Sequence, residues 1–170
     1  MHLRTPFLLA CAVAAACSAA PAARAAEPDP ELLRVMRVRF ADGQLYEAAG
    51  RWADALERFR EVARVRDTPQ VAFHTALCLD HLGRLLEAER LFKASRDAAR
   101  AIAAPDVASE ADAHLADLAE RIPKVYVGAT GGTRGVKLFL DGAPVPATGL
   151  ARVDPGPHLV TATRTGRTIA

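Results

Sequence analysis

The chain reads as an α+β protein: about five antiparallel helices arranged as hairpins, followed by a small antiparallel β-sheet or sandwich module. Three observations carry this reading. A six-position pattern occurs twice, 33 residues apart: Gly43, Tyr46, Gly50, Trp52, Ala55 and Phe59 are matched by Ala76, Leu79, Gly83, Leu85, Ala88 and Phe92. Composition then changes after Pro123, from helix formers to short β-type runs separated by Gly, Pro and Asp. Finally, of the three cysteines only Cys78 lies beyond the first 25 residues, so an internal disulfide is not expected there and the core must supply the stability. A period between 20 and 50 residues is the signature of stacked repeats. One amphipathic hairpin cannot bury its apolar stripe alone, and stacked hairpins present extended surfaces suited to binding.

Residues 1–25 read as a signal peptide. Arg4 gives a positive start, Phe7 to Ala16 form an apolar stretch, and Ala23-Arg24-Ala25 supplies a small-residue cleavage pattern. Ten apolar residues are too few to cross a hydrocarbon core that needs about 20. Ala14-Ala15-Ala16-Cys17-Ser18 also resembles a bacterial lipoprotein box, with Ala where Leu is usual, which would make Cys17 a lipidation site. Both readings export the chain: to the periplasm or the medium in one case, to a lipid anchor in the other. Arg4 and Arg24 are two of the 22 basic residues, so 20 basic and 20 acidic residues remain beyond the signal. That balance argues against nucleic acid as a partner, which would demand a clustered basic face.

The helical domain is expected over residues 27–122. Asp29 followed by Pro30 is a helix-start signal, because the carboxylate can accept early backbone N–H groups and proline lacks the N–H that would be orphaned there. The first helix runs to about Ala48 and presents Leu33, Met36 and Phe40. After Gly50 a second helix sets Trp52, Ala55, Leu56, Phe59 and Val62 on one side, at offsets fitting 3.6 residues per turn. Thr68-Pro69 repeats the start signal for a third helix through Leu82, and the fourth spans about Leu85 to Ala101. A fifth, from Pro105 to Ile122, shows Val107, Ala111, Leu115, Leu118 and Ile122. It breaks the repeat, since a further step of 33 lands on Ser109, Asp112, Ala116 and Arg121, and so reads as a capping helix.

The run Gly43-x2-Tyr46-x3-Gly50-x-Trp52-x2-Ala55-x3-Phe59 resembles the core of a tetratricopeptide repeat, and the copy through Phe92 keeps the same size classes. The resemblance covers about Arg39 to Ala101. It implies helical pairs whose small residues let helices approach and whose first helices line a groove holding a protein segment. The chain departs from that pattern at Arg39, Asp42, Ala72 and Thr75, where large apolar residues are usual, and its period is 33 rather than 34.

The β module is expected over residues 124–170, with strands at Lys124–Val127, Val136–Leu140, Leu150–Val153 and Leu159–Thr163. In the second of these Val136, Leu138 and Leu140 share one face and Phe139 the other, and Asp141-Gly142 suits a tight hairpin. Leu140-Asp141-Gly142, a proline loop and Val153-Asp154-Pro155-Gly156-x-His158 together resemble a PEGA-type module, without the literal motif. That resemblance implies a bacterial exported protein. The module looks a strand short after the turn Arg164-Thr165-Gly166-Arg167. A partner strand, a marginal module or a truncated sequence would each account for the open edge.

No catalytic, metal or cofactor-binding residues are expected. His74, Cys78 and His81 lie along one side of the third helix, with Asp80 on another, yet they occupy ordinary positions of a packed helix and one helix rarely completes a metal site. Gly128 to Gly135 lacks the order and the following helix of a phosphate loop. Arg58, Arg60, Arg64 and Arg66, interleaved with Glu57 and Glu61, read as a solvated face rather than an acidic-peptide site. The expectation is a non-enzymatic protein-binding or scaffolding component of the bacterial cell envelope, with contact to the envelope through the β module. The alternative is a lipidated assembly protein whose helices only space that module from the membrane.

Overall fold

A computed structural model describes residues 29–128, 135–146, 148–164 and 167–169 of the chain. The signal segment, Cys17 and all but the ends of the Gly128–Gly135 loop lie outside the described residues. The architecture is α+β. Helices α1 (Pro30–Ala48), α2 (Trp52–Val65), α3 (Pro69–His81), α4 (Leu85–Ala101) and α5 (Pro105–Arg121) precede the strands β1 (Lys124–Gly128), β2 (Val136–Leu140), β3 (Ala143–Val145), β4 (Thr148–Arg152), β5 (Val160–Arg164) and β6 (Arg167–Ile169).

The helix starts follow their local chemistry. The Asp29 carboxylate accepts the Glu31 N–H at 2.9 Å, and the Thr68 hydroxyl accepts the Val71 N–H at 3.3 Å. The two repeat turns are near copies. Gly50 and Gly83 take φ +69° and +76°, in the left-handed region that a side chain disfavours. In the first turn the Gly50 N–H donates to the Glu47 carbonyl (2.9 Å) and the Arg51 N–H to the Tyr46 carbonyl (2.8 Å). In the second, Gly83 donates to Asp80 (2.9 Å) and Arg84 to Leu79 (2.9 Å). These paired bonds satisfy carbonyls that the helix end would leave open. A third turn of the same form joins α4 to α5, but there Ala103 sits at φ +55°.

Each helix packs on the next in sequence, and α3 also reaches α5. The aromatic packing repeats with the sequence. Phe40 meets Phe59 edge-on at 5.3 Å and 65°; Phe73 meets Phe92 33 residues on, at 5.4 Å and 69°. Phe59, Phe92, Ala55, Ala76, Ala88, Leu79 and Leu85 form the centre of the core, with Tyr46 and Trp52 half-buried against it. Trp52 stacks flat on His81 at 3.6 Å, and the Arg51 guanidinium lies 4.4 Å over the Tyr46 ring. Helix α5 closes one end: Ala108, Ala111, Leu118 and Ile122 turn inward, while Ser109, Glu110, Ala113, Ala116, Asp117 and Glu120 face out. It is tied down by the Arg121–Asp80 pair (2.7 Å) to α3 and by Arg100–Asp112 (2.6 Å) to α4.

The strands form two sheets. One is the two-stranded pair β1–β4; the other has the order β3-β2-β5-β6, all antiparallel. Leu138 and Leu140 are buried and Val136 half-buried, so the inward face of β2 is the expected one. Asp141 (φ +51°) and Gly142 (φ +81°) make the two-residue hairpin into β3, and Leu140 pairs with Ala143 across it. Strands β3 and β6 were not foreseen, and the strand expected at Leu150–Val153 begins instead at Thr148. The short β6 pairs with β5 after the turn beyond which the module was expected to lack a strand.

Two substitutions test the packing. A Cβ on Gly43 would stand 2.7 Å from the ring of fully buried Phe59, so Gly43→Ala is expected to destabilise by about 1–3 kcal/mol through overpacking. Ala103→Gly is expected to stabilise by about 0.5–1 kcal/mol. The left-handed conformation costs a side chain roughly 1–2 kcal/mol, partly offset by the extra unfolded-state freedom of glycine. Urea denaturation of both variants measures the two signs.

Candidate functional site

An apolar groove lies at the α1 end of the stack. Leu33, Met36, Arg37 and Phe40 of α1, Val62 of α2 and Arg66 at its end, and Thr68, Gln70 and Val71 at the start of α3 enclose about 300 Å³. It exists because α1, at 19 residues, is longer than α2, at 14. Helix α2 ends at Val65, and the first turn of α1 runs on past it.

Outside the groove α1 exposes further apolar side chains, reaching round to another side of the helix. Leu32 is 40% exposed, Val35 41% and Val38 58%. The only buried residue of α1 is Gly43, whereas α3, flanked by α2 and α4, buries nine. Two guanidinium groups stand at the rim: among the described residues neither Arg37 nor Arg66 has an acidic partner within 4.0 Å. Of the other arginines on these two helices, Arg34 pairs with Glu31 (3.0 Å), Arg39 with Glu61 (3.6 Å) and Arg58 with Glu61 (2.9 Å). Arg60 and Arg64 likewise have no acidic partner among the described residues but do not line the groove. Sequence reasoning placed Leu33, Met36 and Phe40 on the inner side of α1 and grouped Arg66 with a solvated face. Nothing local singles out Arg37 or Val71, because the groove is made by the juxtaposition of three helices.

The residues considered for metal binding do not converge. The Glu47 carboxylate on α1 takes both His74, whose Nδ1 lies 2.8 Å from Oε2, and the buried Cys78 thiol, whose Sγ lies 3.5 Å from Oε1. His81 is held away by its stack on Trp52, and Asp80 by Arg121. Burial, together with the adjacent carboxylate, pushes the Cys78 thiol well above its ordinary range, which disfavours a thiolate there. Among the described residues no group of three or more His, Cys, Asp or Glu is placed to hold a metal ion. The twelve repeat positions, from Gly43 to Phe92, are packing and turn residues, and none of them lines the groove.

A second polar constellation joins the β module to the helices. The Asp154 carboxylate accepts the Leu86 N–H at 2.8 Å, capping α4 from 68 residues away, and Arg152 pairs with Glu89 at 3.0 Å. The α4 start has no side-chain cap of its own, and a carboxylate there also meets the positive end of the helix dipole. Asp154 is itself positioned by His158. The ring bridges the Asp141 carboxylate (Nδ1, 2.6 Å) and the Asp154 carbonyl (Nε2, 2.6 Å), while Asp141 Oδ1 accepts the Leu159 N–H at 2.8 Å. Two acceptors facing two ring nitrogens require the imidazolium, the form in which both donate.

No family model matches the chain, and no curated protein or solved structure is significantly similar to it. Among the described residues no helix is long and apolar enough to cross a membrane.

The His158 bridge predicts a pH response. The Asp141 carboxylate first, then the Asp154 carbonyl, raise His158 above the ordinary histidine value of 6.5. The Leu159 N–H and then His158 hold Asp141 below the ordinary 3.8. The histidine contribution is fully present below about 6.5 and is lost as pH rises through the raised value. The aspartate contribution is present above about 3.8 and is lost as pH falls through the lowered one. Amide exchange at Leu86 and Leu159, corrected for intrinsic rates, should be slowest between about pH 4 and 6.5. In His158→Gln the alkaline limb should flatten.

Proposed function

We propose that this chain is an exported, non-catalytic binding or scaffolding component of the bacterial cell envelope, whose helical stack holds a segment of another protein. The observation that carries this reading is the difference between the two ends of the stack. One end is finished by α5, with a charged and small-residue outer face; the other, among the described residues, leaves a groove and several apolar residues of α1 uncovered. Helical stacks require polar outer faces at their terminal elements, so an apolar end is a surface built to be covered.

The identical turn and aromatic geometry at a 33-residue interval supports the tetratricopeptide resemblance, in which the first helix of each pair lines the binding groove. The export reading rests on the residue pattern of segment 1–25, and the β module is the natural point of contact with envelope material. The engagement of His74 and the Cys78 thiol by Glu47 supports a structural rather than a catalytic use of those groups.

Site-specific photocrosslinking tests the reading in the full-length chain. A photoreactive residue at Leu32 is expected to capture a discrete protein in an envelope extract of the source bacterium, and one at Ala113 on the outer face of α5 is expected not to. Equal capture from both positions, or none from Leu32, overturns it.

A further inference from the structure

We propose that the α1 end docks an acidic amphipathic helix of a partner protein, which deepens the binding reading above and rests on it. Three observations specify this occupant.

The first is shape. The three inner helices α2, α3 and α4 each pack between two sequential neighbours, whereas among the described residues α1 has only α2 as a sequential neighbour, touches α3 through Phe40 and Glu47, and is otherwise open. The uncovered surface is therefore the seat of a missing helix, and ridges at helical spacing are what fill it.

The second is size. A groove of about 300 Å³ is at the lower limit of clefts that enclose a small molecule, roughly 300–1,000 Å³. It suits a few protruding apolar side chains, and Leu32, beside Met36 on the helix surface, adds an exposed apolar residue at its edge. Anchors at i, i+3, i+4 and i+7 of an amphipathic helix are the matching pattern.

The third is charge. Arg37 projects from α1 and Arg66 from the end of α2, on two sides of the same apolar floor, each without an acidic partner among the described residues. Guanidinium forks suit carboxylates, so Glu or Asp flanking the apolar anchors would be read there and Lys or Arg repelled. Helix α5 cannot serve as this occupant from a second copy, because its apolar residues are turned onto α3 and α4 and its free face is polar.

The test uses the full-length chain and two synthetic 18-residue helices with identical leucines at i, i+3, i+4 and i+7, one flanked by Glu and the other by Lys. The Glu peptide is expected to bind about tenfold more tightly, as two rim pairs of up to about 1 kcal/mol each allow. It should shift the Met36 methyl resonance and weaken with added salt. In the double variant Arg37→Glu, Arg66→Glu the preference between the peptides should invert. Equal or tighter binding of the Lys peptide, or an unmoved Met36 methyl, overturns the proposal. So does a chain that dimerises through this face and becomes monomeric on Leu32→Glu. A crosslink from Leu32 combined with preference for the Lys peptide removes the acidic chemistry and keeps the groove. Loss of the crosslink removes the groove itself.

Discussion

The structure depends on one packing arrangement made twice: a phenylalanine of the second helix in each pair, buried in the core and met edge-on by a phenylalanine of the first. Phe59 lies against the bare backbone of Gly43, with an added Cβ only 2.7 Å from its ring, and the Phe40 edge meets it at 5.3 Å. Each fully buried aromatic contributes several kcal/mol, the order of its cost on truncation to alanine, about 3–5 kcal/mol. The left-handed glycine turns then follow as a geometric condition. A ring seated that deeply requires the second helix to return close to the first, and the Gly50 and Gly83 turns reverse the chain within a few residues without a Cβ penalty. Where the third turn uses Ala103 instead, the repeat is already ending and the cap begins.

The stack is directional because its two ends solve the burial problem differently. Helix α5 spends its apolar residues inward and is fixed by charge pairs, one of them between Arg121 and the buried Asp80. Helix α1 divides its apolar residues between the core and solvent, leaving Leu45 68% exposed as well as Leu32, Val35 and Val38. At about 25 cal/mol per Å² of apolar area removed from water, covering such side chains is a driving force for association, not a detail of the surface.

Much of the helical part was legible because its boundaries are set locally. Asp29-Pro30, Thr68-Pro69, Gly50 and Gly83 each carry a start or stop mechanism within a few residues, and the helices begin and end within a residue or so of those signals. The β module was less legible. Pro144 sits in β3, an edge strand, where a missing N–H is tolerated but the local pattern reads as loop. The pairing of β1 with β4 passes over the β2–β3 hairpin, and alternation along one strand says nothing about its partner. The groove was half legible: the inner side of α1 follows from helical spacing, but Arg66 and Val71 join it only through the crossing of three helices.

The β module is bound into the same logic. Helix α2 has no side-chain cap at its start, and the equivalent turn before α4 has none either, yet α4 is capped by Asp154 from the module. Arg152 on β4 reinforces the junction by holding Glu89 below the ordinary carboxylate range, with Lys93 adding to the effect. The cap is positioned by His158, which also grips the β2–β3 turn, so hairpin, loop and helix start share one polar network. Disturbing the hairpin at Asp141 therefore reaches the first turn of α4 through three hydrogen bonds. Helix α4 in turn carries Phe92 and receives α5. The module is thus coupled to the α4 side of the stack, away from the groove at α1.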